Sequence, residues 1–438
     1  MRRCSIRSRS RPACSKRRTS ACTTCPPGGG AAPRPCGWVA ASSCSNHRRR
    51  PPNCWPVPPG DHEGCGLYVH VPVCVRACPY CDFDFVVDRR PDVEALVDAY
   101  RRECGERELF GRTMRTVYVG GGTPSALGPG GLASLVHALR AWFDLGAVEE
   151  VTVEANPEHV TPDLLAALVD AGVHRLSLGV QSFDPDVLAL LGRRHDGSTA
   201  SRAVEAAASR GLSVSVDLIA GVPDAPDGAW ADDLARVVSL PVDHVSVYAL
   251  SIEPDVPWTA LVRRGRRRMP DPDHQAAALR RAERVLVAAG FVHYEVASYA
   301  RPGKEAVHNT GYWSLRPYVG IGPSAASASY EAYGVVRRTN PRGLGAYLGG
   351  DPAEVERLGP AAGAREALWL GLRRLVAGAD AEAVADRFGR SRAWIDGVLA
   401  PAFARDWVVA DGSRIRLRPD MWLFHDAVGR AILGGDDD

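Results

Sequence analysis

Nothing in the 438-residue chain approaches a run of about eighteen apolar residues, which excludes a transmembrane helix. Lysine is almost missing: Lys16 and Lys304 are the only two, so arginine carries nearly all the positive charge. Residues 1–60 hold no Asp or Glu against Lys16 and eleven arginines, so they carry about +12; the whole chain is +2 and the remainder about −10. That remainder offers no basis for a nucleic-acid partner. The same first sixty residues lack the apolar core of a secretory signal, and a twin-arginine signal fails on the same ground. They also lack helical or strand periodicity, and Cys22-Thr-Thr-Cys25 has no second pair with which to build a zinc module. Residues 1–64 are therefore expected to be a disordered Arg-, Cys- and Pro-rich extension. The scarcity of lysine suggests a GC-rich genome, and the segment reads as a non-conserved extension or as translation begun upstream of the true start.

Beyond that extension the composition is that of a globular protein, with 45% hydrophobic and 24% charged residues overall. Short apolar strand candidates recur at 67–71, 116–119, 151–154, 175–178, 213–219 and 244–249. Helical patterns lie between and after them, at 92–109, 131–142, 162–171, 198–209, 229–239 and 273–289. Alternation at this length predicts parallel βαβ units. Six of them make a partial (β/α)6 barrel, with its chemistry at the C-terminal ends of the strands. Residues 65–300 are assigned to this barrel, 301–363 to a connecting segment, and 364–438 to a small C-terminal domain. That last stretch has Ala-rich helical patterns followed by a hairpin turning at Asp411-Gly412, which suggests a winged-helix-like unit. Its arginines are balanced by acids, so DNA binding is not expected.

The densest chemical signal follows the first strand: Cys74-Val-Arg-Ala-Cys78-Pro-Tyr-Cys81. Three thiolates on one tight loop suit an iron–sulfur cubane, which normally takes four. With Asp82 and Phe83 next in line, three cysteines leave one iron open to another ligand, as a catalytic zinc keeps one open position. A structural zinc is the alternative, but C-x3-C-x2-C is not the usual pair of C-x2-C units. The second strand ends in Gly120-Gly121-Gly122-Thr123-Pro124, where consecutive glycines expose backbone groups to a ligand. Glu154 closes the third strand, where it is either a ligand-binding carboxylate or a solvated one.

Tyr68-Val-His-Val-Pro-Val-Cys74 and Cys78-Pro-Tyr-Cys81-Asp-Phe resemble the opening of radical S-adenosylmethionine (SAM) proteins. More narrowly they resemble the group of oxygen-independent coproporphyrinogen III oxidases and HemW-type haem chaperones. Arg175-x-Ser-x-Gly179-x-Gln181-Ser-Phe, Gly192-Arg193-Arg-His195 and Asp217-Leu-Ile-x-Gly221-x-Pro223 follow in the family's order, and the resemblance extends over about residues 65–434. It implies a [4Fe-4S] cluster on Cys74, Cys78 and Cys81, with SAM chelating the open iron. It further implies SAM or substrate-side contacts from Tyr68, Gly121, Gly122, Thr123, Glu154, Gln181, Arg193 and Asp217. His195 is open between a catalytic role and a structural hydrogen bond.

His308-Asn-Thr-Gly-Tyr312-Trp313 is similar to the HNxxYW stretch of HemW-type proteins, which implies haem binding with His308 as a ligand. An imidazole can ligate haem iron and large aromatics can cover a porphyrin; packing in a loop is the plain alternative. Where the family often reads GxGAHS, this chain has Ala326 in the place of the histidine. The oxidases carry a further cysteine two places after the third; here that place is Phe83, which favours the chaperone. The resemblance thus implies a cytoplasmic protein that binds cluster, SAM and haem and delivers haem to apo-proteins. Association with membrane haem proteins would be peripheral. A coproporphyrinogen III dehydrogenase-like enzyme is the alternative, and no residue is assigned a catalytic role. The basic run Arg263–Arg268 is expected to be a solvated face.

Overall fold

The computed structural model describes residues 64–331 and 333–434, so the extension expected over 1–64 lies, apart from Gly64, outside the described residues. Six strands form where they were expected: β1 (Cys65–Val71), β2 (Met114–Gly121), β3 (Glu150–Ala155), β4 (Arg175–Gln181), β5 (Ser213–Ala220) and β6 (His244–Ala249). Each pairs in parallel with the next. The crossovers carry α1 (Val93–Glu106), α2 (Gly128–Trp142), α3 (Pro162–Asp170), α4 (Gly197–Ser209) and α5 (Ala229–Ser239), and α6 (Pro272–Ala288) follows β6. Local chemistry fixes their starts: Thr161, Asp196 and Asp271 cap α3, α4 and α6 with side-chain oxygens, and Pro162 and Pro272 open the first turn.

The strands alternate in a way that decides the architecture. Val117, Val119, Val151, Val153, Leu176, Leu178, Val214, Val216, Val245 and Val247 are buried in the main core, which also takes in Leu132, Leu139, Leu164 and Leu234 of the crossover helices. The residues between them are polar: Thr116 and Tyr118, Thr152 and Glu154, Ser177, Ser215 and Asp217, Ser246 and Tyr248. Parallel strands covered on both faces usually read as continuous apolar runs. A polar inner file instead marks an interior built to hold something polar.

A seventh parallel strand, absent from the expected pattern, is β9 (Tyr318–Ile321), which adds to the other side of β1. The sheet continues beyond it in antiparallel fashion through β10 (Ala326–Glu331), β11 (Gly334–Thr339) and β12 (Glu354–Leu358). At the opposite end, β7 (Val292–Glu295) and β8 (Ser298–Ala300) complete a twelve-stranded sheet. Residues 301–363 thus contribute four strands and α7 (Val307–Trp313). Because antiparallel strands occupy both ends, the parallel portion stays an open, partial barrel.

The C-terminal part runs α8 (Pro360–Leu372), β13 (Ala379–Asp380), α9 (Ala381–Arg387), α10 (Arg392–Ala404), β14 (Val408–Asp411), β15 (Arg414–Leu417) and α11 (His425–Leu433). The three short strands pair antiparallel in the order β13-β15-β14. Gly412, at φ +62°, turns the β14–β15 hairpin. Leu368, Leu372, Ile395, Leu399, Ile415 and Val428 form a core of their own.

One buried carboxylate ties the sheet extension to the barrel. Glu103 of α1 accepts from Arg107 at 2.6 Å, the Gly322 N–H at 2.9 Å, the Asn340 amide at 2.8 Å and the Tyr347 hydroxyl at 2.8 Å. Arg107 in turn donates to the Gly320 carbonyl and Ser327. Glu103→Ala leaves Arg107 buried without its counter-charge, so we expect a loss of about 3–5 kcal/mol of stability, read from urea unfolding. A loss below about 1 kcal/mol would show that the network is not what holds α1 to the extension.

Candidate functional site

A cavity of about 490 Å³ opens at the C-terminal ends of the parallel strands, the position where such barrels place their chemistry. Cys74, Cys78 and Cys81 all line it. The cysteine loop leaves β1 at Val71 and is pinched shut where Val73 and Cys74 pair in parallel with Val86 and Val87. Beneath it runs the end of β2: the Gly122 N–H donates to the Val71 carbonyl at 2.9 Å and the Thr123 N–H to the Val73 carbonyl at 2.7 Å. A Cβ on Gly122 would lie 2.7 Å from the Val73 oxygen, so only glycine permits this approach. The Trp258 backbone N–H holds the Pro79 carbonyl at 2.8 Å.

The three thiols sense one another. Burial pushes the Cys74 thiol up to about 11; Cys81 and Cys78 add to that, while the Thr123 hydroxyl, 3.3 Å from the sulfur, and Arg193 oppose it. Burial likewise raises Cys81. Cys74 and Cys81 thus stay protonated until a cationic centre arrives to share their thiolates. Among the described residues no three His, Cys, Asp or Glu side chains converge as a single-ion site. A cubane takes its thiolates on separate irons, and the three cysteines on one cavity wall fit that demand.

The other walls are polar. Glu154, at the end of β3, accepts from the Tyr118 hydroxyl at 2.6 Å and from the Gly121 N–H at 3.1 Å. Burial raises it to about 7, against those two hydrogen bonds and with the Asp217 charge adding to the rise. Burial raises Asp217 to about 6, with Ser246, Ser177 and Arg193 pulling the other way. Arg193 donates to Asn156 and to the Gly179 carbonyl, both at 2.6 Å, and lies 3.7 Å from the Cys78 sulfur. Gln181 holds a left-handed φ of +70° at a register break in β4, a strain that residues at binding sites often carry. The Thr152 hydroxyl, Arg175 Nη1 and Arg193 Nε line or abut the cavity, buried and without a partner among the described residues. Buried polar atoms of that kind are normally satisfied, so these three have free hydrogen-bonding capacity beside the cavity. Cysteines, glycines, Thr123, Glu154, Gln181, Arg193 and Asp217 therefore meet in one place.

The comparisons agree with this geometry. The model of the Radical SAM superfamily matches residues 68–237. Heme chaperone HemW of Mycobacterium tuberculosis is 42% identical over 266 residues, covering 59% of this chain and 68% of that protein. The Escherichia coli HemW is 36% identical over 296 residues, covering 64% and 76%. The fold resembles the solved coproporphyrinogen III oxidase HemN of Escherichia coli, with a TM-score of 0.71 at 23% identity over 84% of this chain and 90% of that one. The chain belongs to the HemW-type family of radical SAM proteins.

Three residues singled out in the sequence, Tyr68, His195 and His308, are not among those lining the cysteine cavity. Tyr68 does not line the cysteine cavity. Its hydroxyl lies 3.1 Å from His70 Nδ1 and its ring faces a second cavity, because β9 covers the side of β1 that would otherwise be an edge. His195 lies 3.0 Å from the Val180 carbonyl and 3.2 Å from the Glu158 carboxylate. His308 is the residue expected to ligate haem. It is buried on α7 with Nδ1 2.8 Å from the Thr116 hydroxyl and Nε2 2.6 Å from the Tyr312 hydroxyl. Burial, helped by Arg316, lowers it to about 3, so the imidazole is neutral and its one lone pair is engaged. It lines neither cavity. Phe83 is exposed at the cavity rim.

Tyr118, Tyr248, Asn156 and Ser246 are site residues that motif reading passed over. The every-second-residue polarity of β2, β3, β5 and β6 was the available signal for most of them.

The raised Glu154 has a measurable consequence. Between the ordinary 4.5 and about 7 the folded protein keeps a proton that the unfolded chain has released. Stability of the ligand-free protein therefore falls as pH rises through that window. We expect Glu154→Gln to remove roughly 1–3 kcal/mol of that decline, followed by denaturation between pH 5 and 7.5. An unchanged slope would show that Glu154 is not held protonated.

Proposed function

We propose that the chain is a haem chaperone of the radical SAM type, holding a [4Fe-4S] cluster on Cys74, Cys78 and Cys81 and SAM in the same cavity. It would take up haem and pass it to apo-proteins. The observation that carries this reading is the convergence of three thiols with a polar cavity whose buried donors lack partners. The names of the family's curated members support the haem role.

Bound there, the cluster would supply an electron to SAM through its open iron. The chain's own residues do the holding. Arg193, beside Cys78, offsets thiolate charge while its other nitrogens brace Asn156 and the Gly179 carbonyl. The glycine turn presents backbone groups next to the cysteines, with Thr123 against Cys74. Glu154 and Asp217 offer buried acceptors to hydroxyl or amino groups, and the Tyr118 hydroxyl orients Glu154. Phe83, which can neither ligate nor donate, stands where the oxidases have a cysteine. An oxidase would also have to place two propionates in turn beside the reacting centre, a positioning task that haem carriage does not impose. No helix among the described residues is long and apolar enough to cross a membrane; a cytoplasmic protein meeting haem acceptors peripherally is consistent with this.

Cys65 and Cys104 are the internal control. Cys65 sits at the start of β1 against Met114, and Cys104 is fully buried in the core. After anaerobic reconstitution with iron and sulfide, Cys74→Ala, Cys78→Ala and Cys81→Ala should each lose most of the cluster absorbance, whereas Cys65→Ala and Cys104→Ala should retain it. Cluster loss in Cys65→Ala with retention in Cys74→Ala would overturn the ligand set. In parallel assays the wild type should bind haem and form no protoporphyrinogen IX from coproporphyrinogen; turnover would replace the chaperone reading with the oxidase one.

A further inference from the structure

The three sulfurs of the cysteine loop do not share one environment. Cys74 has the Thr123 hydroxyl 3.3 Å away, and Cys81 accepts from the Phe83 backbone N–H. Both of those partners are neutral. Cys78 differs: Arg193 Nη1 lies 3.7 Å from its sulfur, and the Tyr80 phenol is hydrogen-bonded to the same atom. Charge-assisted hydrogen bonds are roughly twice as strong as neutral ones. The Cys78 thiolate is therefore the one whose charge is drawn off most.

Local structure holds both groups in place. The short helix Pro185–Leu190 ends in a turn at Gly192, whose φ is +70°. The N–H groups of Gly192 and Arg193 return to the Ala189 and Leu188 carbonyls at 3.2 and 2.9 Å. A Cβ on Gly192 would stand 2.8 Å from Pro79 Cδ, so glycine lets this turn press against the cysteine loop and brings the next residue to Cys78. Nη2 of Arg193 is fixed by Asn156 and the Gly179 carbonyl, which leaves Nη1 for the sulfur. Those two partners are neutral, and Glu158, which acts on Arg193 at longer range, is engaged with His195. No ion pair among the described residues cancels the Arg193 charge. Tyr80 packs with Val187, Leu191 and Trp258 in a small apolar cluster, and the Trp258 backbone N–H holds the carbonyl of Pro79, the residue before it.

We infer that Arg193 and Tyr80 act through Cys78 to raise the reduction potential of the cluster. The inference rests on the reading of Cys74, Cys78 and Cys81 as cluster ligands and adds which of the three sulfurs sets the potential. Reduction adds one negative charge to the bound centre. A fixed cation and a donated hydrogen bond at one sulfur stabilise the reduced form over the oxidised one, because net charge and hydrogen bonds to sulfur are what tune such clusters. Salt screens a partly buried charge less than an exposed one, so Arg193 outweighs the exposed Arg194 beside it.

The test is redox titration of the full-length, anaerobically reconstituted protein without SAM, with the reduced fraction read from cluster absorbance and electron paramagnetic resonance. Arg193→Gln should lower the potential by about 59 mV or more, a tenfold change in the one-electron equilibrium constant. Arg193→Lys keeps the charge and should restore most of that shift. Tyr80→Phe should lower the potential by a smaller amount, and Arg194→Gln should leave it close to wild type. An unchanged potential in cluster-loaded Arg193→Gln, or an equal shift in Arg194→Gln, would overturn the inference and leave the ligand assignment standing. Should Arg193→Gln fail to load, Tyr80→Phe decides, and a wild-type potential there would overturn the inference. A wild-type protein that takes up no cluster would overturn the ligand assignment and this inference together.

Discussion

The cysteine loop exists as a loop because β2 ends directly beneath it. Two backbone hydrogen bonds, from Gly122 to Val71 and from Thr123 to Val73, hold the two chain segments together. They form only because residue 122 has no Cβ. Everything at the cavity's cysteine end follows from that closeness. Thr123 reaches the Cys74 sulfur, the Gly121 N–H reaches Glu154, and Glu154 in turn fixes Tyr118. A side chain at 122 would separate the thiols from the polar strand ends and dissolve the site without disturbing the apolar core on the outer face.

The electrostatics of the cavity make sense only with a guest. Three thiols and two carboxylates are collected in one buried space, and burial raises Cys74, Cys81, Glu154 and Asp217 alike. Arg193 is a cation among them, and it is braced by two neutral acceptors. A set of groups all held toward their neutral forms is poised to give up protons when a cationic centre binds. The second cavity is largely aromatic, with Arg337 and Glu366 in its wall, and the rings of Tyr68 and Tyr118, stacked at 6.1 Å, stand between the two.

Much of this was legible in the residues. The six strands and their crossover helices declared themselves through short Val- and Leu-rich runs flanked by capping residues. The cysteine spacing, the glycine turn and Glu154 marked the strand ends that form the cavity. What could not be read was partnership across the sheet. A four-residue strand such as Tyr318–Ile321 has too little pattern to announce that it will pair with β1, yet that pairing directs Tyr68 to the second cavity. His308 looked available because its motif is aromatic and its neighbours in sequence are small. Only packing reveals that Thr116, nearly two hundred positions earlier, occupies one ring nitrogen and Tyr312 the other. Ala326 drew attention as a missing histidine; in the fold it becomes wall space in the second cavity.

The central claim is that three cysteines hold a cubane with one iron left for SAM. Electron paramagnetic resonance of the anaerobically reconstituted, reduced protein tests it most directly. The account predicts a reduced [4Fe-4S] signal whose g-values shift when SAM is added, because SAM enters the coordination sphere of the open iron. A signal indifferent to SAM, or no cluster signal after reconstitution, would contradict it.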